Sequence, residues 1–200
     1  MAIEVATADS AVIDEIADIA ARTFPLACPP SSTPDNIVAF INANLSAARF
    51  AEYLADPDRV VLTARDGSRM VGYVMLIRGV IDDPDVLRAV TLRPAVELSK
   101  MYVLTDAHGA GASAALMAAV LNRAEELDAK CVWLGVNQEN RRAQRFYAKH
   151  GFRINGTKTF RVGAHVENDY VMVRELQLPP AAPAAVSANS REVARRYFLR

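Results

Sequence analysis

The chain is poor in cysteine. Cys28 and Cys131 are its only two in 200 residues, too few for a disulfide framework, so a reducing compartment is expected. An excess of one charge is also missing. Lysine plus arginine equals aspartate plus glutamate at 23 each, which removes the basic surplus carried by most nucleic-acid-binding domains, and no nucleic-acid partner is expected. Long apolar runs are absent too. Glu4, Asp9, Asp14 and Glu15 interrupt the N-terminal region, and no later stretch approaches the roughly 20 apolar residues of a membrane span. Neither a leader peptide nor a membrane anchor is expected, and the reading is a cytoplasmic protein. No cluster of His, Cys, Asp and Glu has metal-ligand spacing, so no metal is expected.

What is present suits one core-forming domain, with apolar residues at 52%. A short strand is predicted over 3–7. Asp9 or Ser10 then caps a helix with Val12, Ile16, Ile19 and Thr23 on one face. Prolines make 25–32 a loop; Thr33-Pro34-Asp35 opens a second helix, and a third runs over 47–54. The period then changes to that of strands, over 60–64 and 70–77, joined as a hairpin by Arg65-Asp66-Gly67-Ser68. After an acidic connection at Asp82-Asp83-Pro84-Asp85 come a strand over 96–103 and a turn holding Gly109 and Gly111. A helix over 112–128 follows, with Leu116, Val120, Leu121, Ala124 and Leu127 inward. Val132, Leu134 and Val136 alternate as a strand, 140–150 is a helix stopped by Gly151, and strands over 152–160 and 170–176 complete the body. The pattern predicts an α/β fold with a mixed sheet and helices on both faces, over residues 1–178. From Pro179 the composition shifts to proline and alanine, predicting a linker and a short basic tail over 179–200.

The turn before the helix at 112 carries the first chemical signal. Glycine lets the backbone approach a ligand closely, and an opening helical turn offers unpaired N–H groups. His108-Gly109-Ala110-Gly111 ahead of that helix is therefore suited to a pyrophosphate, although two glycines can also serve a tight turn alone. Gly109-x-Gly111-x-x-Ala114 also fits a dinucleotide fingerprint, which requires an acid at the end of the next strand. That strand ends Gly135-Val136-Asn137-Gln138 without one, and the motif lies mid-chain, so a Rossmann fold is the weaker choice.

His108-Gly109-Ala110-Gly111-Ala112-Ser113 resembles the acyl-CoA-binding motif of the GNAT superfamily, Gln/Arg-x-x-Gly-x-Gly/Ala after a strand. The stretch from Val132 to Phe152 is similar to the second signature of that superfamily, with Asn140, Ala143, Phe146-Tyr147 and Gly151-Phe152 at its spacing. The resemblance spans residues 3–176. It implies a GNAT fold with a mostly antiparallel central sheet, acetyl-CoA as acyl donor, and N-acetyl transfer to an amine, a polyamine or other small-molecule amine being favoured and a protein lysine or N-terminus the alternative acceptor. It further implies that the backbone of Met101, Tyr102 and Val103 pairs with the pantetheine arm. His108, Gly109, Ala110, Gly111, Ala112 and Ser113 would cradle the pyrophosphate. Asn140 would contact pantetheine, Phe146 would pack beside it, Tyr147 would protonate the departing thiolate, and Glu97 would be the general base. Each has a plainer reading: sheet pairing for 101–103, helix capping for Asn140, core packing for Phe146 and Tyr147, a solvated carboxylate for Glu97. Two positions depart from the family. Ser113 replaces a glycine or alanine and can add a hydroxyl, while His108 replaces an arginine or glutamine and can withhold a positive charge from the phosphates.

Thr157-Lys-Thr-Phe-Arg-Val-Gly163, Asp169-Tyr170-Val171-Met172 and the Phe24-Pro25-Leu26-Ala27-Cys28 loop resemble a PaiA-like branch, which implies a polyamine acceptor. Asp82, Asp83 and Asp85 are the candidates for holding its charge. Neither cysteine has an evident base beside it, so the amine is expected to attack the thioester directly. A second function class is a GNAT-fold module that binds acetyl-CoA and regulates a partner without turnover; Tyr147 together with Glu97 favours the enzyme. A homodimer is compatible with either. His150 and His165 read as surface or packing residues, and Cys131 as a small buried apolar group.

Overall fold

The computed structural model describes residues 1–162 and 165–176. The linker and tail over 179–200, the boundary at 178, and the readings made for Gly163 and the His165 side chain lie outside the described residues.

The chain opens with β1 (Ala2–Val5) and α1 (Ser10–Thr23), closed at its start by Asp9 accepting from the Ala11 N–H. Ile13, Ile16, Ile19, Ala20 and Thr23 form the buried face of α1, with Val12 only partly covered. α2 (Pro34–Asn44) and α3 (Ala47–Ala55) are capped by Thr33 and Ser46. β2 (Arg59–Asp66) and β3 (Arg69–Arg78) form the expected hairpin. Then come α4 (Pro84–Ala89), β4 (Ala95–Val103), α5 (Ala112–Glu126), β5 (Cys131–Asn137), α6 (Arg141–Lys149), β6 (Arg153–Val162) and β7 (His165–Glu175).

Two stretches read as irregular are helical, for the same reason. Phe24–Ala27 forms a 3-10 turn with Pro25 in its first turn, where a fixed φ suits the helix and no donor is needed. Asp83 accepts from the Asp85 and Val86 N–H groups ahead of Pro84, so the acidic connection is in part a helix cap.

The seven strands of the described residues run in the order β1-β2-β3-β4-β5-β7-β6, and all neighbours are antiparallel except β4 and β5. Leu116, Met117 and Val120 of α5 pack on one face against Leu62, Val74, Val96 and Val132. Ile16 and Phe50, from α1 and α3, pack on the other against Val61, Tyr73 and Met75. On β5 the period of two sends Val132 and Leu134 toward α5, and Cys131 and Trp133 toward α4. The Trp133 indole, fully buried, donates to the Gly79 carbonyl at 3.0 Å. Full burial of one such large side chain stabilises by about 1.5–3 kcal/mol.

Two irregularities shape the site. β4 and β5 pair only through Ala95–Cys131, Val96–Val132 and Glu97–Trp133, and then part. In the β3–β4 ladder Met75 faces Lys100 while Leu76 faces Leu98, so Ser99 is an extra residue, a β-bulge. The bulge resets the alternation: Val96, Leu98, Met101 and Val103 all face the α5 core. Glu97 and Lys100, three apart, are thereby brought to the same opposite face.

Candidate active site

Beyond Glu97, β4 has no strand partner on the β5 side, and backbone donors and acceptors along such an edge require one. Two cavities open in the gap. One, of about 280 Å³, reaches from Glu97 to Asp169. The other, of about 210 Å³, reaches from Met101 to His108 and Ser113. They share Ala27, Met101, Tyr102, Asn140, Ala143 and Tyr147 as a common wall.

The smaller cavity gathers Val103, His108, Ser113, Arg142 and Phe146. Beside it, Gly109 and Gly111 have φ of 88° and 85°, a left-handed conformation that side chains disfavour. A Cβ at either would meet no atom within 4 Å, so conformation and not packing calls for glycine there. Gly111 precedes α5 without a side-chain cap, which leaves the first N–H groups of the helix to an external acceptor. Ala112 has its side chain in the core, so only its backbone can serve a ligand; Ala110 is exposed. His108 is tied at both nitrogens. Nε2 lies 3.1 Å from the Val103 carbonyl and Nδ1 lies 3.0 Å from the Arg142 guanidinium. A guanidinium only donates and a carbonyl only accepts, so these contacts fit an imidazole with its single proton on Nε2. Arg142 thus brings a guanidinium to the cavity that His108 lines. Sequence reasoning missed this residue, although a cation in the first turn of a helix, against the macrodipole, was a signal.

The larger cavity has an apolar side and a charged side. Phe24 and Phe40 stack at 4.5 Å with Leu45 nearby. Opposite stand Glu97, Lys100, Lys158, Glu167 and Asp169. Burial raises the pKa of Glu97, opposed by Lys158, Lys100, Arg59 and a hydrogen bond from Ser99. Burial lowers Lys100 to about 8, and its ammonium lies 5.2 Å from the centroid of the Tyr53 ring. Asp169 is raised by burial and drawn down by Lys158, whose Nζ is 3.7 Å from Oδ2. Its Oδ1 is buried without a hydrogen-bond partner among the described residues, an arrangement that typically costs about 1–3 kcal/mol. Gly135 makes room for this pair: a Cβ there would lie 2.6 Å from Lys158 Cε and 3.2 Å from Asp169 Oδ2. Ser31 donates to Glu167 at 3.1 Å, fastening the loop after the 3-10 turn to β7.

Tyr147 stands in the common wall, its ring edge-on to Phe146 and Phe152 at 5.6 and 5.8 Å. Burial pushes its hydroxyl up to about 12, so it carries its proton at neutral pH. Asn140 caps α6 by accepting from the Ala143 N–H at 3.0 Å. That bond uses its carbonyl oxygen, not its amide donors, and Asn140 lines both cavities. Asp82, Asp83 and Asp85 line neither cavity. Asp83 caps α4 and Asp85 pairs with Arg88, so the expectation placed on that acidic run is corrected. The carboxylates of the cleft are Glu97, Glu167 and Asp169. The last two are separated by one residue on a strand and so share a face, which the sequence pattern permitted but did not single out.

The profile of the acetyltransferase (GNAT) family matches residues 13–152. The chain belongs to that family. N-acetyltransferases of Mycobacterium bovis and Mycobacterium tuberculosis are each 64% identical to this GNAT chain over 163 residues, covering 82% of it and 97% of their own length. The PaiA N-acetyltransferase of Thermoplasma acidophilum, solved with coenzyme A, superposes with a TM-score of 0.68 over 88% of this chain and 100% of its own. Its identity is 16%, so that likeness shows a shared GNAT fold. As a member of the family the chain is an N-acetyltransferase. Among the described residues no helix is long and apolar enough to cross a membrane.

Proposed function

We propose that this GNAT enzyme transfers the acetyl group of acetyl-CoA to a small amine by direct attack, with a polyamine as the favoured class of acceptor. One observation carries the reading: two cavities meet at a wall formed by Met101, Tyr102, Asn140 and Tyr147, in the gap where β4 and β5 part. A two-substrate transfer needs this, a donor side and an acceptor side with the reacting groups at their junction.

The donor side fits an acyl-CoA. The unpartnered β4 edge at Met101, Tyr102 and Val103 suits the amide groups of a pantetheine arm. The open backbone from His108 to Ser113, the uncapped start of α5 and the Arg142 cation suit a pyrophosphate. Phe146 borders the same cavity. Acetyl-CoA, when bound, supplies the acetyl group as a thioester. Glu97 accepts the proton of the incoming ammonium, directly or through one water, because only a neutral amine attacks. Its raised pKa makes it a better acceptor than an ordinary carboxylate, while Lys158 and Lys100 oppose that rise. Tyr147, protonated and in the shared wall, donates to the departing thiolate. Cys28 also lines the acceptor cavity, but burial raises its thiol, which makes a covalent carrier of it unfavourable. The acceptor cavity is small, charged on one side with carboxylates in the majority and apolar on the other, which supports a short aliphatic amine.

The test is amine-dependent thiol release from acetyl-CoA across polyamines, amino acids, aminoglycosides and lysine peptides. Saturable release with aliphatic amines is expected. Tight acetyl-CoA binding with no release for any amine would instead identify a binding module without turnover.

A further inference from the structure

We propose that Asp169, flanked by Glu167, binds a second cationic group on the acceptor, so that the enzyme selects diamines and polyamines over monoamines at this pair of β7 carboxylates. The inference rests on the acetyl transfer proposed above and assigns its specificity.

Four observations support it. Asp169 lines the acceptor cavity with its side chain only 9% exposed, and while Oδ2 faces Lys158, Oδ1 has no hydrogen-bond partner among the described residues. A carboxylate oxygen left bare in that setting calls for a donor, and an ammonium supplies one with charge. Glu167, two residues away on β7, faces the same way and is held by Ser31. The cavity wall carries three carboxylates against two lysines, so its charge does not oppose a cationic acceptor. Gly135 preserves the space, since a side chain there would collide with Lys158 and Asp169.

The placement fits as well. Glu97 is level with Trp133 on β5, and Asp169 is level with Asn137, its carboxylate reaching back to within 3.2 Å of where a Cβ on Gly135 would stand. Both carboxylates line the same cavity of about 280 Å³, so one short diamine can reach both. Phe24, Phe40 and Leu45 provide an apolar side for its methylenes.

The experiment compares putrescine with butylamine, which differ by the distal amine, in the wild-type enzyme and in Asp169→Asn and Glu167→Gln. The wild type should favour putrescine by about 10- to 100-fold in kcat/KM, the range of one charge-assisted hydrogen bond. Added salt should raise the putrescine KM more steeply than that of butylamine, which carries one charge fewer. Asp169→Asn should bring the ratio toward one, chiefly through the putrescine KM, and Glu167→Gln should lower it several-fold. If Asp169→Asn melts below the assay temperature, the Glu167→Gln ratio decides. Equal use of both amines by the wild type, or an unchanged ratio in a folded variant, overturns this inference and leaves acetyl transfer standing. No turnover of any amine overturns the proposed function, and this inference with it.

Discussion

The guanidinium of Arg142 donates to Nδ1 of His108 across 3.0 Å, joining the first turn of α6 to the loop that leads into α5. His108 stands where the resemblance expects an arginine or glutamine, and in the proposed donor site Arg142 would supply the cation instead. Arg142→Ala should weaken acetyl-CoA binding about tenfold, the range of one exposed charged hydrogen bond, and should flatten its salt dependence. Adding His108→Arg to that variant should recover most of the loss. Calorimetry that finds equal affinity with and without Arg142 would remove it from the donor site.

Gly111 separates backbone strain from contact with the ligand. At φ 85°, Gly111→Ala should cost about 1–2 kcal/mol of stability, because no neighbouring atom obstructs the methyl group. Gly111→Asp should melt at a similar temperature, yet lose far more acetyl-CoA affinity by setting a carboxylate against the pyrophosphate. Equal affinities for Gly111→Asp and Gly111→Ala would show that no anion binds there.

Glu97 makes the pH profile informative. Burial raises its pKa, so the base form is lost on acidification at a higher pH than for an ordinary carboxylate near 4.3. The acid limb of kcat/KM should fall correspondingly early. Glu97→Gln should be slowest near neutral pH and recover as rising pH supplies unprotonated amine. A deficit equal at every pH would mean structural damage and not a lost base.

Lys100 should be a stability liability with a known pH window. Its folded value of about 8 lies below the ordinary 10.5, so between those pH values the unfolded chain binds more protons and stability rises with pH. The penalty is therefore full below pH 8 and fades toward 10.5. Lys100→Met should stabilise by about 1–3 kcal/mol near pH 7, with the gain shrinking by pH 10. It should also shift the Glu97 limb to higher pH, because a cation beside that carboxylate is gone. Melting curves at the two pH values, and the rate profile, check both.

The donor half was far more legible in the sequence than the acceptor half. Gly109, Gly111, Asn140 and Tyr147 belong to contiguous motifs whose spacing is local, and a chain read in order reveals them. Arg142 was visible in the same segment, but its partner His108 lies a strand and a helix away. On the acceptor side Glu97 and Lys100, Lys158, and Asp169 come from three separate strands, β4, β6 and β7. They are brought together by a one-residue bulge at Ser99, by the β6–β7 register and by the absence of a side chain at Gly135. None of these leaves a periodic signature. Asp82, Asp83 and Asp85 were conspicuous as a run, yet a capping residue and an exposed ion pair account for two of them.

The central claim is that Tyr147, in the wall between the two cavities, serves the departing thiolate while acetyl-CoA and amine are bound on either side. The most direct measurement is steady-state thiol release with putrescine by wild-type enzyme and Tyr147→Phe, with acetyl-CoA affinity measured on both. In Tyr147→Phe kcat should be lower by about 10²- to 10⁴-fold, with acetyl-CoA affinity nearly unchanged. A Tyr147→Phe enzyme that turns over at the wild-type rate would contradict that claim.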